Sequence, residues 1–212
     1  MPEPNATELT PRDLLGPLKP QRPVEVTAPG VLVTSRLFLR PLIEADRAGV
    51  VPLIRQTRAT LEPWMSIFAE GETDDGFFTR QLERTITGER GGIAFRRGAF
   101  LADGSFIGCV NLTNIARGLS FEADMHWWIV ENYRGKGYGT EAVQAVLDYA
   151  LAEIPKGLGL HKVQAIVLPG NVASERLATR VGFTLGGKRT QASAVVNGQW
   201  ERHDLYVRSV VA

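Results

Sequence analysis

Glu122-Ala-Asp-Met-His-Trp-Trp-Ile-Val130, then Glu-Asn-Tyr133, then Arg134-Gly-Lys-Gly-Tyr-Gly-Thr140, then Glu141-Ala-Val-Gln-Ala-Val-Leu147 is the stretch whose reading decides the fold. Its first segment is strand-like, and period-2 alternation puts Glu122, Asp124, His126 and Trp128 on one face. Its last segment, 141 to about 153, reads as a helix with Val143, Val146, Leu147 and Ala150 inward. Between them Gly135, Gly137 and Gly139 allow close approach of backbone to a ligand. N–H groups at a helix N-terminus favour an anion, and Arg134 and Lys136 add positive charge. The chemistry is that of a phosphate or pyrophosphate cradle. It is not a P-loop, because Lys136 lies among the glycines and not directly after the last one. As a dinucleotide fingerprint it fails from Gly135, where Thr140 stands at the third small position. From Gly137 it reaches Ala142 but lacks the acid expected about 20 positions on, since Leu168-Pro-Gly-Asn171 offers none.

Working outward, Lys162 to Leu168 is an apolar strand, which makes the Gly-rich segment the turn of one β-α-β unit. A short helix, 174 to about 180, stops at Gly182. A last hairpin is expected from 192–196 and 200–210 around Asn197-Gly198. Upstream, 92–101 and 105–115 are strands joined by Asp103-Gly104. A helix over 74–86 is capped by Thr73 and presents Phe78, Leu82 and Ile86. Another, 44 to about 57, presents Ala48, Val51 and Ile54, with a kink or break expected at Pro52. The first strand is 33–41. The sum is an α+β domain over 31–212. Residues 1–30 form a proline-rich extension holding seven of the twelve prolines, with room for one turn near 12–16.

Composition excludes several classes. With 24 Lys+Arg against 23 Asp+Glu, the net charge of +1 lacks the basic excess of a nucleic-acid binder. One cysteine, Cys109, permits no intrachain disulfide and reads as core filler. The three histidines, 126, 161 and 203, have no metal-motif spacing, so no metal is expected. The start of the chain has neither a basic n-region nor an apolar run, and no segment is long and apolar enough to span a bilayer. The expectation is a cytoplasmic protein with no membrane partner.

Arg134-x-x-Gly137-x-Gly139 between strand and helix resembles motif A of the GNAT superfamily, the acetyl-CoA-dependent N-acetyltransferases. Asn171-Val-Ala-Ser174-Glu-Arg-Leu-Ala-Thr-Arg-Val-Gly182-Phe183 resembles the motif B that follows it. Leu61-Glu-Pro-Trp64-Met65 and Gly198-Gln-Trp200-Glu resemble the Rim branch, which acetylates N-termini of ribosomal proteins. The resemblance implies a GNAT fold, with a mixed, mostly antiparallel sheet flanked by helices. That sheet splays between its fourth and fifth strands, 122–130 and 162–168, and a bulge near Trp128 to Val130 opens it. It implies acetyl-CoA as cosubstrate, an amine such as a protein N-terminus as acceptor, and often a homodimer. Backbone of Ile129 and Val130 would hold the pantetheine arm. Arg134 and the N–H groups of Gly135, Lys136, Gly137, Tyr138, Gly139 and Thr140 would hold the pyrophosphate. The Asn171 side chain would bond the arm near the thioester.

Amine attack on an activated thioester asks for proximity, an oxyanion donor and proton transfer. Asp124 is the first candidate base, standing where the Rim branch usually has Glu; Glu122 is second and His126 third. Ile166 and Ala178 occupy places where relatives carry a Glu and an acidic Tyr, and no Asp or Glu occurs between Glu175 and Glu201. Ser174 matches the Ser that the Rim branch uses as acid, and it equally fits a helix N-cap. Base-free catalysis through an ordered water stays open. Trp64, His126 and Trp128 are the candidate acceptor-binding residues. A small-molecule amine as acceptor, or a non-catalytic acyl-CoA-binding module, are the rival readings.

Overall fold

The computed structural model describes residues 30–188, 194–196 and 198–210. Apart from Gly30, the proline-rich extension and its turn lie outside the described residues, as do Ala192, Ser193 and Asn197 of the expected last hairpin. Along the chain run β1 (Leu32–Val33), β2 (Leu37–Arg40), α1 (Arg47–Leu61), α2 (Asp74–Arg90), β3 (Phe95–Leu101), β4 (Phe106–Ala116) and β5 (Glu122–Ile129). After them come α3 (Tyr138–Leu151), β6 (Lys162–Val167), α4 (Val172–Arg180), β7 (Thr184–Lys188), β8 (Ala194–Val196), β9 (Gln199–Glu201) and β10 (Asp204–Ser209). Eight strands form one sheet in the order β1-β2-β3-β4-β5-β6-β10-β7; β8 and β9 form a separate ribbon. Every pairing in the large sheet is antiparallel except β5 with β6. That parallel pair needs a crossover, which α3 supplies.

Alternation along the strands divides the core. Leu37, Leu39, Phe95, Ala123, Met125 and Trp127 meet α3 and α4 through Val143, Val146, Leu147, Ala150 and Ala178. The helix face expected for 141–153 is therefore the one that packs. Full burial of each large aliphatic chain in it contributes about 1.5–3 kcal/mol. On the other face, Phe100, Cys109 and Trp128 meet Val50, Ile54, Leu61, Phe77 and Phe78 of α1 and α2. Here the expected stripes hold in part: Ile54 and Phe78 are buried and Val51 and Leu82 pack against them, whereas Ala48 is exposed. In α1 the buried line is Val50, Ile54, Thr57 and Leu61, and the helix runs unbroken through Pro52. In α2 it is Phe77, Phe78, Thr85 and Gly88, while Ile86 is half exposed. Gly88 fits because a Cβ there would stand 2.6 Å from Cβ of Ala94. The Thr73 cap is as expected, accepting from Gly76 N–H at 3.0 Å.

The β5–β6 pairing decides where a ligand can enter. It covers only Glu122 with Lys162, Ala123 with Val163 and Asp124 with Gln164. Beyond Asp124 the strands part. β5 stays paired to β4 as far as Ile129 opposite Gly108, and β6 stays paired to β10 as far as Val167 opposite Asp204. The result is a fork whose limbs are each held by an outer neighbour. The bulge expected at Trp128 to Val130 is not there, since the register runs unbroken from Thr113↔Asp124 to Gly108↔Ile129. The irregularity is in β4, where Asn114 (φ 52) and Ile115 stand opposite Ala123 alone. The last strands also differ from expectation. Residues 200–210 split into β9 and β10, and β10 pairs with β6 and with β7, a strand the sequence reading missed.

Candidate active site

The loop at the mouth of the fork is built from unpaired backbone donors. Gly137 is the N-cap of α3 with φ 82, a left-handed conformation, and Gly135 has φ 74. The first backbone bond at the helix start is Glu141 N–H to Gly137 O. Among the described residues, no N–H from Gly135 through Thr140 has a hydrogen-bond partner. That leaves six consecutive donors, three of them the orphan donors of a helix N-terminus. Gly139 sits where α3 approaches β5 and α4 most closely: a Cβ there would lie 3.1 Å from both Ile129 and Leu177.

A clamp holds this loop from outside. Glu141 accepts from Thr34 Oγ1 (2.6 Å), Ser35 Oγ (3.1 Å), Arg36 N (3.0 Å) and Arg36 Nε (2.6 Å). Arg36 Nη1 donates to Lys136 O at 3.2 Å, and its guanidinium lies 4.7 Å from the centre of the Tyr138 ring. Burial opposes the Glu141 charge, but the bonds from Thr34 and Arg36 outweigh it and hold this carboxyl below its ordinary range. The pairs are 100 or more residues apart, so no local pattern reveals them.

Arg134 does not point outward. Its Nε donates to Ile129 O at 2.9 Å and its Nη2 to Thr60 Oγ1 at 2.9 Å, tying the end of β5 to α1. Val130 donates its N–H to Ile107 O and accepts from Tyr133 N–H, so both its backbone groups are engaged. Antiparallel alternation then turns the backbone groups of Met125, Trp127 and Ile129 toward the open edge of the fork. Across the fork, Asn171 Oδ1 caps α4 by accepting from Ser174 N–H at 3.2 Å. Asn171, not Ser174, is the cap, which leaves the Ser174 hydroxyl without a partner among the described residues.

The face of β5 turned toward α1 and α2 carries the side chains. Glu122 is ion-paired with Lys162 at the closed end of the fork. Asp124 stands at the branch point, accepting from Asn114 Nδ2 at 2.7 Å and from Gln164 Nε2 at 2.8 Å. His126 lies one step into the open part, half-buried, with Asn111 Nδ2 3.2 Å from its Nε2. Burial, reinforced by Arg96, drives its pKa down to about 4, so the ring is neutral at neutral pH.

This combination of fork, donor loop and crossover helix is that of a known family. Residues 36–184 match the acetyltransferase (GNAT) domain. The probable N-acetyltransferase YjcK of Bacillus subtilis is 31% identical over 82% of this chain and 94% of its own length. The [ribosomal protein uS5]-alanine N-acetyltransferase of Escherichia coli is 27% identical over 82% and 88%. The structure of Mycobacterium smegmatis RimJ in complex with CoA-disulfide superposes with a TM-score of 0.73 at 24% identity, covering 82% of this chain and 81% of that one. The chain belongs to the GNAT acetyltransferase family. It is a Rim-like member with the GNAT α+β fold.

Within that GNAT frame, two expected acceptor residues part company. Trp64 is 38% exposed just beyond α1, as an acceptor wall requires. Trp128 is 6% exposed and packs edge-on against Phe106, so it belongs to the core and not to an open acceptor surface. Sequence reasoning also missed Arg36, Glu141, Asn114 and Gln164, all of which act through partners distant in sequence. Among the described residues no group of His, Cys, Asp and Glu could hold a metal, and no helix is long and apolar enough to cross a membrane.

Proposed function

We propose that the chain transfers an acetyl group from acetyl-CoA to the α-amine of a protein N-terminus. The run of six N–H groups with no partner among the described residues, at the mouth of the fork, carries this reading. Gly135 to Thr140 would take the pyrophosphate, as expected. Lys136 would add charge, while Arg134 would act by fixing the end of β5 and not by touching phosphate. The pantetheine arm would run as an added strand along Met125, Trp127 and Ile129, with the Asn171 amide across the fork. That geometry narrows the expected arm contacts to the N–H of Ile129, because Arg134 holds the Ile129 carbonyl and both backbone groups of Val130 are engaged.

Acetyl-CoA supplies a carbonyl already activated as a thioester. The protein brings the amine within reach of it at the branch point, where proximity is worth up to about 7–11 kcal/mol of barrier. The Asp124 carboxylate, oriented by two amides, takes the proton from the ammonium nitrogen. Glu122, ion-paired at the closed end, serves less well, and His126 with its lowered pKa is a weak acceptor. The Ser174 hydroxyl donates to the departing sulfur. Trp64 walls the acceptor, and the likeness to an alanine N-acetyltransferase of ribosomal protein uS5 favours a peptide acceptor. The catalytic domain would be 31–212, working in the cytoplasm with 1–30 as an appendage, as a homodimer after the Rim pattern.

The test is thiol release from acetyl-CoA against peptides beginning Ala, Ser, Thr or Met, and against amino acids, polyamines and aminoglycosides. Peptide-dependent release supports the proposal. Release with small amines alone replaces the acceptor class. Acetyl-CoA binding with no release for any acceptor favours a binding module.

A further inference from the structure

One arginine in the acceptor half lacks the partner that its burial demands. Arg96 is 7% exposed, and among the described residues its buried Nη1 has no hydrogen-bond partner and no carboxylate pairs with it. The equally buried Arg40 and Arg97 are each matched, to Asp46 and to Glu89. Leaving a buried guanidinium unpaired is costly, so its place calls for an anion. Arg96 borders a cavity of about 20 Å³ with Gln81, Thr85, Cys109, Asn111 and Trp128, room for one water-sized atom group. Arg84 of α2 adds to the positive field there. Arg80 does so more weakly in effect, being ion-paired to Glu72.

Register ties this cavity to the reaction centre. Arg96 stands opposite Asn111, and Asn111 opposite His126, so the three side chains form one row across β3, β4 and β5. His126 is the end of the row at the fork, where β6 no longer pairs and its Ile166 is 41% exposed. We infer that Arg96, Asn111 and His126 form an anion-recognition subsite that takes a carboxylate carried by the acceptor. Asn111 and Arg96 supply the donors, and one carboxylate oxygen enters the cavity. From the fork to Arg96 is two strand spacings, about 10 Å. A free α-amino acid, with amine and carboxylate on one carbon, is too short for that span. An extended peptide advances about 3.3 Å per residue, so an Asp or Glu side chain at its second or third position reaches.

This rests on the amine arriving at the fork, as proposed above. Wild-type protein is assayed with matched peptides carrying Glu or Gln at positions 2 and 3, with acetyl-CoA binding measured separately. The Glu peptides are expected to have a KM lower by about tenfold, the size of one charge-assisted contact. Arg96→Met should erase that preference while leaving the Gln peptides and acetyl-CoA affinity unchanged. Arg96→Lys, which keeps charge but loses the planar fork, should retain part of it. Equal KM for Glu and Gln peptides in the wild type overturns the inference, whatever the variants do, and leaves Arg96 bonded to a buried water. Acetylation of free glutamate but of no peptide, sensitive to Arg96→Met, keeps the carboxylate subsite and overturns the peptide acceptor.

Discussion

The two sides of the fork present different kinds of polar group. Around α3 the donors are backbone N–H groups of 135–140, presented by glycine conformations and a helix end, over an apolar core. Around α1 and α2 the buried polar groups are side chains, with Arg40, Thr57, Thr85, Arg96 and Asn111 set among the hydrophobic residues. Backbone recognition depends on chain geometry and tolerates many side chains. Side-chain recognition depends on each residue and can be retuned one substitution at a time. A cosubstrate shared by a whole family suits the first, and an acceptor that differs between members suits the second.

Four substitutions or conditions test that division. Gly139→Val should have the largest effect, because its side chain must enter a space where even a Cβ stands 3.1 Å from Ile129 and Leu177. We expect acetyl-CoA binding, read by calorimetry, to weaken by about 100-fold as α3 is pushed from β5. Undiminished binding would mean that the loop does not hold the cosubstrate. Asp124→Asn should lower kcat about 100-fold with acetyl-CoA affinity intact. A fall of less than about threefold would point to a water-mediated, base-free reaction.

Arg36→Ala breaks the clamp without touching either expected ligand. We expect the KM for acetyl-CoA to rise about tenfold and the acceptor KM to stay unchanged. A change confined to the acceptor would break the comparison, since it would couple the two sides. The smallest effect concerns His126. Its pKa is lowered from 6.5 to about 4, so between those values the unfolded chain binds the proton and the folded one resists it. Stability is therefore full above pH 6.5 and falls as pH drops toward 4, by up to about 3 kcal/mol. In His126→Gln, denaturant unfolding should lose that part of the acid sensitivity, and identical pH curves would show that the ring is freely hydrated.

Much of the cosubstrate side was legible in the chain. Gly135, Gly137 and Gly139 between a strand and a helix announce a loop with open donors, and the apolar spacing of Val143 to Ala150 gives the packing face of α3. The alternation that groups Glu122, Asp124 and His126 on one face also holds. Less of the rest could be read. β7 is Thr184-Leu-Gly-Gly-Lys188, whose glycines read as loop, and it becomes a strand because β10 offers it an edge. The faces of α1 and α2 were legible only in part, because they bury Thr57, Thr85 and Gly88 beside the apolar residues, and periodicity alone does not count these as buried.

What the sequence by itself determined is local: which segments are helix or strand, where backbone is left open, and which side chains share a strand face. Dihedral preferences and side-chain period set these over a few residues. Only the tertiary structure decided the length of the fork, the turn of Arg134 inward, the reach of Arg36 to Glu141 and the row from Arg96 to His126. Each of these depends on strand register and on pairs far apart in the chain. Their energies come from burial and neighbours that exist only once the sheet has formed.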